Sequence, residues 1–358
     1  MTPTPMAMAS QMLRTARERR DLAGRRPPRF GTGDDAGGPP RVYYLSPDLD
    51  KPSGGVRNIY RHADVLNTLG IEAAVVHSRS GFRCTWFANE TRVEAAADVR
   101  LRPRDVLVVT EWHGPWLHAL PAGVRKIVFN QGPYCTFDAT PYSGSGAGAP
   151  YAGVEGLEGL LTVSEDGERL LRWTFPSLPV HRARPVVDRA VFHPGSGPRE
   201  RRIGYLSRGR RAEEREMLLH MLRSRGVPAG WELTPISGSE AQVAAAMREC
   251  AIFLSFGFRE GFGLPPAEAM ASGCYVVGYT SLGGAEFFDP AYCTPVPECD
   301  LFAYGEAIED AMRRYQENPG EMDAARLKAS AAILGRYDVE GLTGDLSTFY
   351  SALLTPAA

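Results

Sequence analysis

Glu260 and Glu268 close the two ends of Glu260-Gly-Phe-Gly-Leu-Pro-Pro-Ala-Glu268, a pair of carboxylates with seven residues between them. The run before them, residues 251–256, is short and apolar enough for a buried strand, and Gly257, Gly261 and Gly263 interrupt any regular continuation. Pro265 and Pro266 suit the first turn of a helix, residues 267–271 are mostly good helix formers, and Gly273 stands where that helix would stop. Residues 274–279 are β-branched and aromatic, so the unit reads strand, glycine loop, two-turn helix, strand, as in a parallel α/β sheet. A helix start exposes unpaired N–H groups at the positive end of its dipole, which suits a phosphate; Phe262, Gly263 and Leu264 would supply them. Glu260 and Glu268 could then accept hydrogen bonds from hydroxyls on either side of a bound diphosphate, one from a ribose and one from a sugar. The plainer alternative leaves Glu260 solvated and gives Glu268 only the stabilisation of a first helical turn, ~0.3–1 kcal/mol.

The rest of the chain must hold that loop in place. Residues 41–46 have a strand pattern, a loop carrying Gly54 and Gly55 follows, and an amphipathic helix over 56–69 stops at Gly70, before a strand over 71–77. The two glycines read as a tight turn ahead of the helix. A strand over 105–110 runs into Glu111-Trp-His113, placing polar groups at the carboxyl end of a strand, where open α/β sheets bind ligands; His113 is a site candidate, with a structural loop histidine as the alternative. A strand over 126–129 leads to Gln131, which could meet sugar or acceptor hydroxyls. Residues 140–153, rich in Gly, Ser, Pro and Tyr, suit a mobile acceptor loop or an ordinary flexible connection. A strand over 159–164 and a helix over 165–173 continue the alternation.

Farther on, a strand over 202–207 ends at Arg208, Arg210 and Arg211, in front of an acidic helix over 212–225. Arginine presents planar donors to phosphate oxygens and keeps its charge at any working pH, so Arg208 and Arg210 are assigned to a diphosphate, and Arg211 to surface pairing with Glu213–Glu216. Glu286 lies past the next strand, where Gly283 and Gly284 could admit a ligand closely; a carboxylate at a helix start is an equal alternative.

At 358 residues the chain exceeds the size at which single cores stop growing, and its 44% hydrophobic content can fill two. The formal net charge of -2 offers no electrostatic case for a nucleic-acid partner. The six cysteines include no Cys-x-x-Cys pair, which favours reduced, buried thiols and a cytoplasmic setting over a zinc site or disulfide framework. No Asp-x-Asp triad stands in an appropriate loop and no metal is demanded; a dinucleotide fingerprint and a Walker lysine motif are also missing. There is no run of 18 apolar residues and no apolar signal core at the amino terminus, so a soluble chain is expected. Residues 1–40 combine a short basic helix over 10–24 with a Pro/Gly stretch and read as a disordered tail outside the fold. Arg14, Arg17, Arg19, Arg20 and Arg25 could touch an anionic membrane, although a solvated tail is the commoner outcome for such a segment.

The stretch from Glu260 to Gly273 resembles the signature of retaining glycosyltransferases of the GT-B fold, family 4 type, and matching elements span residues 41–354. The resemblance implies two Rossmann-like domains whose parallel sheets face a central cleft: 41–194 on the acceptor side, 200–335 on the donor side, and a crossover helix in 336–358 that packs back on the first domain. It implies that Glu260 contacts the donor sugar, that the amides of Phe262, Gly263 and Leu264 meet the diphosphate, and that Glu268 binds the ribose hydroxyls. It likewise implies that Gly54 and Gly55 open toward the cleft, that His113 hydrogen-bonds the sugar near its anomeric centre, and that residues 185–194 connect the domains. Many members place Arg and, five residues on, Lys where this chain has Tyr205 and Arg210. The implied activity is retaining transfer of a sugar from a nucleotide diphosphate donor, of UDP, GDP or dTDP type, to a hydroxyl acceptor: a polysaccharide, a glycolipid headgroup or a secondary metabolite. No protein nucleophile, cofactor or metal is required, because the leaving phosphate can help deprotonate the acceptor while Arg208, Arg210 and the helix amides neutralise it. A nucleotide-sugar epimerase of similar fold and a non-catalytic scaffold are the alternatives; the carboxylate pair and basic cluster argue against the scaffold, and the Glu-seven-Glu spacing favours transfer.

Overall fold

The computed structural model describes residues 20–355, apart from residues 36, 144, 198, 208, 210 and 227–229. The first half forms β1 (Gly31–Thr32), β2 (Val42–Leu45), α1 (Gly54–Thr68), β3 (Ala73–His77), β4 (Val93–Ala95), β5 (Arg100–Leu101), β6 (Val106–Thr110), β7 (Arg125–Asn130), β8 (Leu157–Thr162), α2 (Glu165–Thr174) and β9 (Val180–Arg182). The second forms β10 (Glu200–Leu206), α3 (Ala212–Arg225), β11 (Glu232–Ile236), α4 (Glu240–Glu249), β12 (Cys250–Ser255), α5 (Leu264–Ala271), β13 (Tyr275–Tyr279), β14 (Thr294–Val296), α6 (Leu301–Glu317), α7 (Pro319–Arg336) and α8 (Val339–Leu354). Seven strands pair in the order β4-β3-β2-β6-β7-β8-β9 and five in the order β11-β10-β12-β13-β14. Every pairing is parallel. A parallel sheet covered on both faces needs nearly continuous apolar strands; β2, β3, β6, β12 and β13 are buried at each position.

One apolar cluster runs from Val42 and Ile127 of the first sheet, through Val186, Val187 and Phe192 of the connecting segment, to Phe253 and Val276 of the second. Separate clusters cover the far faces of the two sheets. The last helix belongs to the first sheet in space: α8 buries Leu346 and Tyr350, Tyr350 meets the Tyr44 hydroxyl of β2 at 2.8 Å, and Asp345 takes both arms of Arg184 at 2.8 and 2.9 Å. This is the crossover expected from the sequence.

Two segments depart from the sequence reading. Gly54 and Gly55 do not precede α1 but form its first turn, capped by Ser53, whose hydroxyl accepts the Val56 amide. The segment read as a disordered tail is ordered over much of 20–35: residues 20–24 are helical and β1 pairs with β5. The reason lies in its arginines and backbone. Arg25 is buried, ion-paired to Asp21 at 2.9 Å, and lies over Trp112 at 4.2 Å, while the Trp116 indole donates to the Leu22 carbonyl at 2.7 Å. Residues 1–19, including most of the expected basic helix, lie outside the described residues.

His62 of α1 is buried, stacks on Phe129 at 4.4 Å between ring centroids, and lies 3.3 Å from the Tyr44 hydroxyl. Burial pushes its pKa down to about 3, and burial lowers His77 and His113 as well. The unfolded chain, with histidines near pH 6.5, binds protons that the folded chain refuses. Stability should therefore fall as pH drops below about 6.5, with His62 alone contributing up to about 1.4 kcal/mol per pH unit on the way to pH 3. Urea denaturation at pH 7, 6 and 5 checks this; His62→Gln should flatten the decline, and a decline as steep in His62→Gln as in the original chain would overturn the contribution of His62.

Candidate functional site

From the end of β12 the chain turns through Gly257 and Arg259 to Glu260, a path with no room for extra atoms. A Cβ on Gly257 would stand 1.8 Å from the Ser281 hydroxyl, and one on Gly283 would stand 2.2 Å from the Gly261 carbonyl. Glu260 is fixed by backbone pairing, its amide donating to Ser281 O at 3.0 Å and its carbonyl accepting from Gly283 N at 3.3 Å. Ser281 and Leu282 have φ of 62° and 73°, positive values that are uncommon for a residue with a Cβ and strained for a bulky one. Gly263, at φ 90°, then begins α5 with no side-chain cap. Pro265 and Pro266 have no N–H, so Phe262, Gly263 and Leu264 carry the free donors of this helix start; no hydrogen bond among the described residues engages them. Glu260 and Gly263 line a cavity of about 370 Å³, together with Ser255, Gly257, Gly209, Ser281, the two prolines and, from the first lobe, Pro52.

The opposing wall comes from α1 and the end of β7. A Cβ on Gly54 would stand 2.4 Å from Leu264, and one on Gly261 would stand 1.8 Å from the Gln131 carbonyl, so both glycines mark places where the lobes touch. Gln131 is a hub: its side-chain amide donates to Gly55 O at 3.0 Å and accepts from Asn58 at 3.1 Å, and its backbone N–H donates to Glu111 at 3.0 Å. Burial pushes the Glu111 carboxyl up, against the lowering effect of the Gln131 and Gly132 amides. Glu268, 8% exposed, accepts from Arg57 of α1, whose other nitrogen binds Glu240 at the start of α4. Burial works against the Arg57 charge, and the two carboxylates outweigh it and raise its pKa. Arg57, Gly54, Leu264, Glu240 and Glu268 line a second cavity of about 90 Å³ with Trp86 and Phe192. The structure thus brings Gly54, Gly55, Gln131, Glu260, Phe262, Gly263, Leu264 and Glu268 to one cleft. Arg57, Asn58, Glu111 and Glu240 were not picked out from the sequence; the signal for the first two was polar side chains two and three residues after Gly55.

Other candidates stand apart. His113 lines neither cavity: its ring is 6% exposed, its Nδ1 lies 2.8 Å from the Arg25 carbonyl, and its Nε2 is buried with no partner among the described residues. The ordered arm over 20–26 covers it. Glu286 is not open to a sugar or acceptor either. Its side chain is 2% exposed, and it accepts from Glu165 N at 2.6 Å and from the Tyr337 hydroxyl at 2.7 Å, with Arg182 and Arg336 each 3.7 Å away. That carboxylate ties the second sheet to the start of α2. Arg211, read as a surface residue, is buried between Glu214 and Glu298 and over the rings of Phe258 and Tyr279, both at 4.7 Å. Arg208 and Arg210 lie outside the described residues.

No protein-family model matches the chain. An alpha-1,6-glucosyltransferase of Actinobacillus pleuropneumoniae is 28% identical over 263 residues, covering 70% of this chain and 77% of that protein. Among solved structures, sucrose-phosphate synthase from Thermosynechococcus elongatus superposes with a TM-score of 0.63 at 11% identity, over 88% of this chain and 99% of that one. HepE from Anabaena, solved in complex with UDP-glucose, gives a TM-score of 0.60 at 11% identity over 87% of this chain and 99% of its own. Two parallel sheets, superposing on these structures over nearly their whole length, give the chain the GT-B fold.

Proposed function

We propose that this protein is a glycosyltransferase that moves a sugar from a nucleoside diphosphate to a hydroxyl acceptor with retention at the anomeric carbon. The observation that carries the reading is the start of α5, where three amides with no partner among the described residues adjoin a cavity lined by Glu260 and Gly263, one helical turn from Glu268. In this reading the amides and the positive helix end meet the diphosphate, Glu268 takes the ribose hydroxyls, and Glu260 orients the sugar. Arg208 and Arg210 would add cationic charge as the phosphate departs and takes the acceptor proton. Glucose is the sugar to test first. Support for it comes from the glucosyltransferase that is 28% identical and from the UDP-glucose held by HepE.

A panel of UDP, GDP and dTDP followed by thermal unfolding tests the donor, since a ligand that binds the folded chain alone raises its melting temperature. UDP should give the largest rise; no rise with any of the three would remove the nucleotide site. Glu268→Ala should weaken nucleotide binding by roughly 10- to 100-fold, the equivalent of losing hydrogen bonds to a charged group. Glu260→Ala should instead lower kcat by roughly ten-fold or more with the donor KM within a few-fold of its original value, as expected for a group whose contact strengthens in the transition state. Unchanged kinetics in both variants would sink the assignment.

A further inference from the structure

Glu268 is not open to a ribose in this structure. Arg57, carried by α1 from the first lobe, binds Glu268 of α5 and Glu240 of α4 at once, and all three side chains are shielded from solvent. The cavity they line is about 90 Å³, far below the roughly 300 Å³ at the small end of ligand pockets. The neighbouring cavity at Glu260 holds about 370 Å³, so room exists for the diphosphate and sugar and is missing where the nucleoside would meet Glu268. The Arg57 arrangement is also incomplete. Its Nε is buried with no acceptor among the described residues, so the guanidinium is held by two carboxylates and not by a finished network.

We propose that Arg57 is a partner-exchanging residue that gates the nucleoside end of the site. With the site empty it occupies Glu268 and draws the lobes together; when a nucleoside diphosphate enters, Arg57 releases Glu268 to the ribose and keeps Glu240 alone. No proton moves, because the guanidinium stays charged throughout. Glu240 is therefore the residue that makes release cheap, and Arg57 the residue that makes entry conditional. The inference rests on the reading of Glu268 as the ribose acceptor. A protein whose competent state is only partly populated binds with an affinity reduced by that fraction, so removing the competitor should tighten binding.

Isothermal titration of UDP, GDP and dTDP into the full chain, Arg57→Gln and Glu240→Gln tests this. Arg57→Gln should bind the preferred diphosphate about five-fold tighter or more, because Glu268 is free from the outset. Glu240→Gln should bind it about three-fold weaker or more, because Arg57 is left with Glu268 as its one carboxylate. A purely structural role for the trio would move both variants in the same direction. If Arg57→Gln fails to fold, Arg57→Lys, which keeps the charge but loses the fork that spans two carboxylates, should still tighten binding. Binding that is unchanged or weaker in the Arg57 variant overturns the gate and leaves the nucleotide site standing. Absence of diphosphate binding in all three proteins overturns the ribose reading of Glu268, and the gate with it.

Discussion

Two folded surfaces can approach only as far as their outermost atoms allow, and in this protein the limit is set by missing ones. Gly54 lies against the tip of the Leu264 side chain, and Gly261 lies against the Gln131 carbonyl; an added carbon at Gly54 would displace Leu264, and one at Gly261 would push the lobes apart. Because all strands in each sheet run parallel, the turns at their carboxyl ends lie together on one edge, and these two edges face each other. The glycine contacts decide how closely. They bring the uncapped start of α5 and Glu260 opposite α1, and they put Arg57 within reach of carboxylates more than 180 residues away in sequence.

The chain spends arginine, and almost no lysine, on joining such distant parts. Arg57 spans α4 and α5, Arg211 links α3 to Glu298 beyond β14, and Arg184 fastens α8 to the connection between the sheets. A buried charge is tolerable only with close partners, and a planar fork can serve two of them. Glu286 follows the same logic from the acidic side, capping α2 across the lobe boundary while accepting from Tyr337.

What the sequence disclosed was local. The strand, glycine loop and helix around Glu260 lie within about two dozen consecutive residues, so periodicity, proline position and glycine breaks were enough to read them. β11 escaped because it contains Pro235 and alternates poorly, as an edge strand can. α4 carried a legible start in the Ser239–Gln242 capping box. The cleft contacts of Arg57 and Gln131 could not be seen, since each partner arrives from another element. His113 and Glu286 have the right chemistry at strand ends, but neighbours from far along the chain consume it. The arm over 20–26 misled for the same reason: its arginines looked solvated because Trp112 and Asp138 lie about a hundred residues away.

The position of α8 has a temporal side. Helix α8 covers Tyr44 and α1, yet Tyr350 follows Tyr44 by 306 residues, so the cover is synthesised long after the elements it covers. At about 5–20 residues per second, roughly a quarter of a minute to a minute passes between the appearance of β2 and that of its cover. Throughout that interval Tyr44 and α1 lack the cover that α8 later supplies. The final packing of the first sheet is thus completed only when the far end of the described chain returns to it.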